Sequence, residues 1–409
     1  MKSLLIISWR SIWRHKRRTI ISASAISFGL SLAVFFLSLG DGVYAQMIDD
    51  TVSMNGGHFT LQHPEYLDAP AIDLVVPHAD ALRKEMARLD GVKETKILVL
   101  GQGMGKSGRG DTGVAIMGVE PEVEVKTSPL AKRLIAGRFL EKADEDKIVV
   151  GQKMAERLKL EVGSKLVLSS TDVNGDLIED LVRIKGIFKM GSAEVDGHMV
   201  EVPIGFARRF FGLQADAATQ VAVVLSHPDR RDAVMAAAEK IIPRGVAALP
   251  WEKVLPDLAN YIRLDRGSNQ VFQGIIIFLC LFTIFNTILM SVLERTREFA
   301  VMMALGTPLA RMRGQIFLES MLLALLGGAV GLAIGGGLGG YFQVFGLDMS
   351  ALVGDEMDVS GFAVNTRVHA KVTLEMLVTM GGGVFGATLL ISLFAMRRVK
   401  RIDVAEVLR

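Results

Sequence analysis

Charge withdraws from four long stretches of the chain and returns sharply between them. Thr19 to Gly40 holds no charged side chain over roughly 22 residues, and Gly267 to Leu293 none over roughly 27, enough to cross the ~30 Å hydrocarbon layer of a bilayer. Two further apolar runs, 314–342 and 372–396, carry no ionisable residue in their cores. The pattern predicts transmembrane helices at 19–40, 267–293, 314–342 and 372–396. Segment 41–266 follows other rules. Lys165 to Ser169 and Leu181 to Phe188 alternate apolar and polar, with Asn174-Gly175 between them as a hairpin signal. Lys96 to Leu100, Gly113 to Val119, Met199 to Val202 and Val221 to Leu225 read as strands, and Ala79 to Leu89 and Asp229 to Ile242 as helices. Strands with interspersed helices and no βαβ rhythm predict an α+β domain. The fold class is therefore a membrane protein of four transmembrane helices, with a large α+β extracytoplasmic domain inserted between helices 1 and 2.

The edges of the spans give the orientation. Residues 1–18 carry Lys2, Arg10, Arg14, Lys16, Arg17 and Arg18 and no acid, and Trp9 and Trp13 are spaced for one face of an interfacial helix. Arg295, Arg297, Arg311 and Arg313 lie in 294–313, and Arg397, Arg398, Lys400 and Arg401 in the tail 397–409. By the positive-inside rule these three segments are cytoplasmic, while 41–266 and the loop 343–371 are outside. Val43-Tyr44-Ala45 imitates a signal-peptidase site, but the apolar run before it exceeds the ~7–15 residues of a signal sequence, so an uncleaved anchor is expected. Half of the residues are hydrophobic and 22% charged, too apolar for a soluble protein and too charged for one buried wholly in lipid. The net charge of +2 gives no polyanion-binding signal, and the single cysteine, Cys280, excludes an internal disulfide.

Several motifs lose their chemistry on inspection. Gly101-Gln102-Gly103-Met104-Gly105-Lys106-Ser107 imitates a phosphate loop, but the required first glycine is replaced by Leu100; a flexible hairpin tip is expected. His58, His63, Asp68 and Asp73 fit no metal-ligand spacing, so no metal site is expected, and no catalytic constellation is assigned. Gly327, Gly331, Gly335 and Gly339 recur every four residues, which lets helices approach closely, either within the chain or between two copies. Gly382 and Gly386 on the fourth span, and Ala23, Ser27 and Ser31 on the first, offer matching faces. Asn286 is expected to hydrogen-bond between helices. The absence of ionisable groups from the span cores argues against an ion-coupled carrier.

The stretch from Asn286 to Gly340, with SVLERTREFA, ALGTP and FLESMLLALLGGAVGLAIG, resembles the permease domain shared by FtsX, MacB and LolC/LolE. The basic entry SWRSIWRHKRRTIIS and the ending RRVKRIDVAEVLR are similar to the same family, as are LIAGRFL and RIKGIFKMG in the external domain. The resemblance implies a permease subunit of an ATP-binding cassette transporter in the bacterial inner membrane. ATP and Mg would be bound and hydrolysed by two copies of a separate ATPase, not by this chain. The 294–313 segment would be the coupling helix, with Glu294, Arg295, Thr296, Arg297, Glu298, Met303, Leu305 and Gly306 in contact with the ATPase. A second permease, identical or homologous, would complete the assembly. Length and a single external domain resemble LolC/LolE most, which implies extraction of lipoproteins as cargo. MacB-like efflux of drugs or peptides and FtsX-like signalling to a cell-wall hydrolase are the alternatives.

Overall fold

In the computed structural model the described residues are 2–14, 16–54, 56–294, 296–350, 357–359, 362–364 and 367–399. Along the chain the helices are α1 Lys2–Arg14, α2 Lys16–Met54, α3 Ala79–Met86, α4 Pro121–Thr127, α5 Gln152–Leu158, α6 Ala193–His198 and α7 Ile204–Phe210. They continue with α8 Arg231–Ala238, α9 Trp251–Val254, α10 Pro256–Glu294, α11 Thr296–Ala304, α12 Leu309–Phe345 and α13 Leu374–Val399. The chain divides into two compact units: Met1–Ala45, Leu264–Asp348 and Arg367–Arg409 make one, and Gln46–Arg263 with Met349–Thr366 the other.

The first unit is helical. Four of its helices, α2, α10, α12 and α13, are long and apolar enough to cross a membrane. The glycine repeat of α12 sits against α2 in a register that rises together along both helices: Gly327 against Ala23 and Ile26, Gly331 against Ser27 and Leu30, Gly335 against Ser31 and Val34. The two helices therefore run in the same direction, as first and third spans must. A Cβ at any of these three glycines would lie 2.8 Å from an atom of α2. Glycine is the residue that permits the approach, because lipid supplies no hydrophobic drive and close backbone packing must do so. On α13, Gly381 meets Leu332 of α12, whereas among the described residues nothing lies within 4 Å of a Cβ on Gly382 or Gly386. Within this chain the α12–α13 contact has Leu332 at Gly381 and Leu377 at Gly336. Helix α1 lies on α12 through buried Ile12 and Ser8, whose hydroxyl donates to Gln315 O (3.4 Å). Beneath it Glu319 is buried and accepts from Gln315 Nε2 (3.0 Å), a carboxylate near the start of the third span that the charge pattern left unremarked. Asn286 is exposed on α10 within this chain, not held in a helix–helix contact.

The second unit is built on a ten-stranded sheet. Its strands are β1 Phe59–Gln62, β2 Val92–Ser107, β3 Gly110–Val119, β4 Leu134–Gly137, β5 Lys147–Gly151, β6 Lys165–Thr171, β7 Leu177–Phe188, β8 Met199–Pro203, β9 Gln220–Leu225 and β10 Ala247–Pro250. The spatial order is β10-β1-β9-β2-β3-β8-β5-β7-β4, with β6 bridging β2 and β7. Strand β2 is buried on both faces between Thr95 and Val99. Ile97 and Val99 enter one core with Phe59, Ile116, Phe206 and Phe211; Leu98 enters another with Met117, Leu130 and Phe188. Burial on both faces explains why Ile97 to Leu100 is a continuous apolar run and not an alternation. The 101–107 segment is not a hairpin tip. It continues β2, paired with β3 as far as Ser107 opposite Gly110, and the chain turns only at 108–109. Its glycines serve packing: a Cβ on Gly101 would strike the Phe211 ring at 2.2 Å, and one on Gly105 would lie 2.8 Å from Met154. At the Asn174-Gly175 turn, Asp172 accepts from the Asn174 and Asp176 backbone N–H groups, closing the β6–β7 hairpin.

Candidate functional site: a short exposed helix between two apolar helices

The segment expected to couple to an ATPase is a separate helix. Helix α10 ends at Glu294, and α11 runs from Thr296 to Ala304. Arg295 and residues 400–409 of the basic tail lie outside the described residues, as do 351–356 of the outer loop. Gly306 stops α11 with φ at +84°, its N–H bonding to Met303 O (3.0 Å) while Thr307 N–H bonds to Met302 O (2.9 Å). Left-handed backbone at this point is cheap for glycine and costly for any other residue. Pro308 then precedes α12. Two faces result. Ala300 is fully buried, and Met302 and Met303 lean on the core formed by Ile26, Leu30, Ile284, Met312 and Ile316. Arg297, Glu298, Val301, Leu305 and Gly306 are exposed, Leu305 by 81%. Thr296 is half-buried, and its hydroxyl donates to Leu293 O (2.7 Å). Of the expected contact residues, the geometry thus gathers Arg297, Glu298, Leu305 and Gly306 on the open side, and turns Met303 toward the helical core.

A second polar cluster in the helical unit was not foreseen. The Tyr44 hydroxyl, on α2, donates to Asp265 Oδ2 on α10 (2.5 Å) and accepts from Asn269 Nδ2 (2.6 Å). The Arg266 guanidinium lies over the Tyr44 ring at 5.2 Å. Cation–ring attraction and charge-assisted hydrogen bonding together tie the two helices at one level. In the sequence Tyr44 stands out only within Val43-Tyr44-Ala45. The spacing 265/266/269 on one helical face is the trace that sequence reading passed over.

The α+β unit buries three ionisable side chains together. Lys96 on β2 is 2% exposed; its ammonium donates to Glu124 Oε2 (3.1 Å) and to the carbonyl of Ser53 in the last turn of α2. Glu201 on β8 is 1% exposed, and its carboxyl is pushed well above the usual glutamate range, first by burial and then by the charge of Glu124. Glu201 Oε2 and Glu124 Oε1 have no hydrogen-bonding partner among the described residues. A charge in phase with Leu98 and Leu100, and a glutamate between valines in Met199–Pro203, are the signals that mark these positions in the sequence. Nearby, Gly57 (φ +71°) bonds its N–H to Val52 O (3.0 Å) at the end of α2, and a Cβ there would strike Val223 O at 2.5 Å. His58 and His63 have structural roles: buried His58 Nδ1 accepts from Leu225 N–H, and His63 Nδ1 from Glu65 N–H.

Comparison with known proteins follows the same division. Residues 271–404 match the FtsX-like permease C-terminal family and residues 19–241 the MacB-like periplasmic core domain family. The lipoprotein-releasing system transmembrane protein LolE of Haemophilus influenzae is 21% identical over 347 residues, covering 82% of each chain. A macrolide export ATP-binding/permease protein MacB of Hyphomonas neptunium is 24% identical over 352 residues; these cover 81% of this chain and 52% of that one, so the chain spans about half the MacB length. The solved periplasmic region of MacB from Actinobacillus actinomycetemcomitans aligns with 49% of this chain and 92% of its own at 9% identity and a TM-score of 0.36. With both halves of the chain matched in chain order, the protein belongs to the FtsX/MacB/LolC-LolE family of ABC transporter permeases.

Proposed function

We propose that this chain is the membrane subunit through which a separate ATPase drives work at the α+β domain, with lipoprotein release as the task. The observation that carries the coupling reading is α11: a short helix with one face packed on the helical core and the other offering Arg297, Glu298, Val301 and Leu305 to a partner. An apolar tip beside charges of both signs suits a protein partner better than lipid headgroups or bulk water. The basic segments at 1–18, 294–313 and 397–409 support a cytoplasmic location for this face, with the α+β domain outside the inner membrane. The lipoprotein reading is supported by the LolE match, which runs over the same large share of both chains. The MacB similarity favours efflux as the second reading.

Purification in mild detergent from the native host is expected to retain a small ATPase in stoichiometric amount, with a second permease, identical or homologous. Depletion of the chain is expected to leave lipid-modified proteins in the inner membrane; normal lipoprotein sorting on depletion would turn the assignment to efflux. Reversing both acids, Glu294→Lys with Glu298→Lys, is expected to lower ATPase stimulation about tenfold while the protein stays in the membrane. Full activity in that double variant would remove α11 from the coupling role.

A further inference from the structure

The sheet of the α+β domain forks at β2. Strand β9 pairs with β2 as far as Leu98, and β6 takes up the same side only at Met104. Between them β2 keeps β3 on its other side, and its open edge is satisfied by side chains instead of a strand. Leu100 N–H donates to Thr219 Oγ1 (2.8 Å), the Tyr66 hydroxyl to Leu100 O (3.2 Å) and the Ser170 hydroxyl to Gln102 O (2.5 Å). Backbone groups that are already paired can line a void without the cost of an unmet hydrogen bond. A cavity of about 1010 Å³ opens at this fork. Residues 70–73 and Tyr66 form one wall, the β6–β7 hairpin the other, and Gln102, Met104, Ala115 and Met117 part of the floor.

We propose that this cavity is a binding site for an amphipathic small molecule with a cationic group. Its volume is at the upper end of the roughly 300–1,000 Å³ of small-molecule sites, and its lining is mostly apolar with a few polar groups, as such sites are. Three of the lining side chains, Met104, Met117 and Met199, are thioethers, which adapt to irregular apolar shapes. Met104 and Leu177 expose 39% and 76% of their surface, a cost that an apolar ligand would relieve. The charge in the lining is of one sign. Asp73 and Asp172 are present and, among the described residues, no lysine, arginine or histidine. The Asp172 carboxyl is held below the usual range, chiefly by the Asp176 N–H, so it stays ionised at neutral pH. The Tyr66 hydroxyl is pushed up to about 12 by burial and remains a neutral donor. Beyond Met104 on the same strand face, Lys106 is engaged by Glu179 at 2.9 Å. An anionic head would meet two carboxylates beside apolar walls, whereas a cation would be drawn to them. The site needs only the α+β domain and stands whether or not α11 couples to an ATPase.

The test uses the full chain in lipid nanodiscs with its one cysteine removed (Cys280→Ser) and a reporter placed in the floor (Met104→Cys). Rhodamine 6G, a cationic amphiphile, is expected to slow modification by a membrane-impermeant maleimide about tenfold and saturably. 8-Anilinonaphthalene-1-sulfonate, of opposite charge, is expected to protect weakly. Asp73→Lys should raise the half-protecting concentration of rhodamine 6G about tenfold. Ala115→Phe, which fills the floor from an exposed position, should abolish protection. A cysteine at the exposed surface position Asp229 should label at the same rate with or without the dye. Should Met104→Cys label poorly on its own, Gln102→Cys reports on the same floor. Absence of protection, protection that survives Ala115→Phe, or equal protection of the Asp229 position would overturn the site. Equal protection by the sulfonate would overturn its charge preference.

Discussion

Lys96→Met is expected to destabilise the α+β domain by about 3–5 kcal/mol, the usual consequence of removing one partner from a buried ion pair. The loss is large because Lys96 is the partner of the buried Glu124 carboxylate, beside which Glu201 is also buried. Without it, Glu124 and Glu201 share an apolar interior, and the Ser53 carbonyl loses its donor. Replacing the group together, Lys96→Met with Glu124→Leu and Glu201→Gln, should cost far less, since an apolar replacement removes desolvation along with attraction. Glu201 adds a pH signature. Its folded-state pKa is raised, so the folded domain keeps a proton that the unfolded chain releases. That contribution is complete below the ordinary glutamate range and is lost as pH rises through the raised folded value. Stability of the native domain should therefore fall with pH across that window, and Glu201→Gln should flatten the dependence. Urea unfolding followed by Trp251, buried in this domain, measures both effects once Trp9 and Trp13 are replaced by Phe. An unchanged midpoint in Lys96→Met would mean that the triad contributes nothing net.

Gly331→Leu is expected to force α2 and α12 apart. A Cβ at this position lies 2.8 Å from Ser27 O and 3.1 Å from Leu30 Cβ, and the first of these is backbone, which has no rotamer to yield. Overpacking of this kind costs about 1–3 kcal/mol even where neighbours can relax. Gly335→Leu should behave alike, since Ser31 O stands at the same 2.8 Å. Gly328 and Gly337 give the control: nothing lies within 4 Å of a Cβ there. Leucine at those positions should be neutral or slightly stabilising through its better helix propensity. The readout is the temperature at which the detergent-solubilised protein loses monodisperse elution. A drop for 331 and 335 with none for 328 and 337 identifies the packed face. Equal behaviour of all four would mean that the stripe bears no packing load.

The division of labour along the chain was legible because it rests on local rules. The Gly306-Thr307-Pro308 stop and the Asn174-Gly175 turn each act within a few residues, and the structure realises them at those positions. What was not legible is tertiary. Gly101 and Gly105 suggested a flexible tip because glycine in isolation says freedom; here they are fixed by Phe211 and Met154, whose approach no local pattern records. Tyr44 meets Asp265 and Asn269 across more than two hundred residues of sequence. The glycine stripe itself was plain, but its register was not: that Gly381 meets Leu332 and Gly336 meets Leu377 is recorded in no local pattern. Lys96 and Glu201 fall within predicted strands, and nothing local in the sequence records that both are buried beside Glu124.

The spacing of four on both sides of the α2–α12 contact makes its register degenerate. Ala23, Ser27 and Ser31 repeat at the interval of Gly327, Gly331 and Gly335, so a shift of α2 along α12 by four residues, about 6 Å and slightly more than one turn, sets small residues opposite glycines again. Half a turn of displacement sets Leu30 or Ile26 against positions with side chains instead. The contact is thus a ladder of equivalent seats separated by steric rungs, and any sliding of one helix past the other proceeds in whole turns.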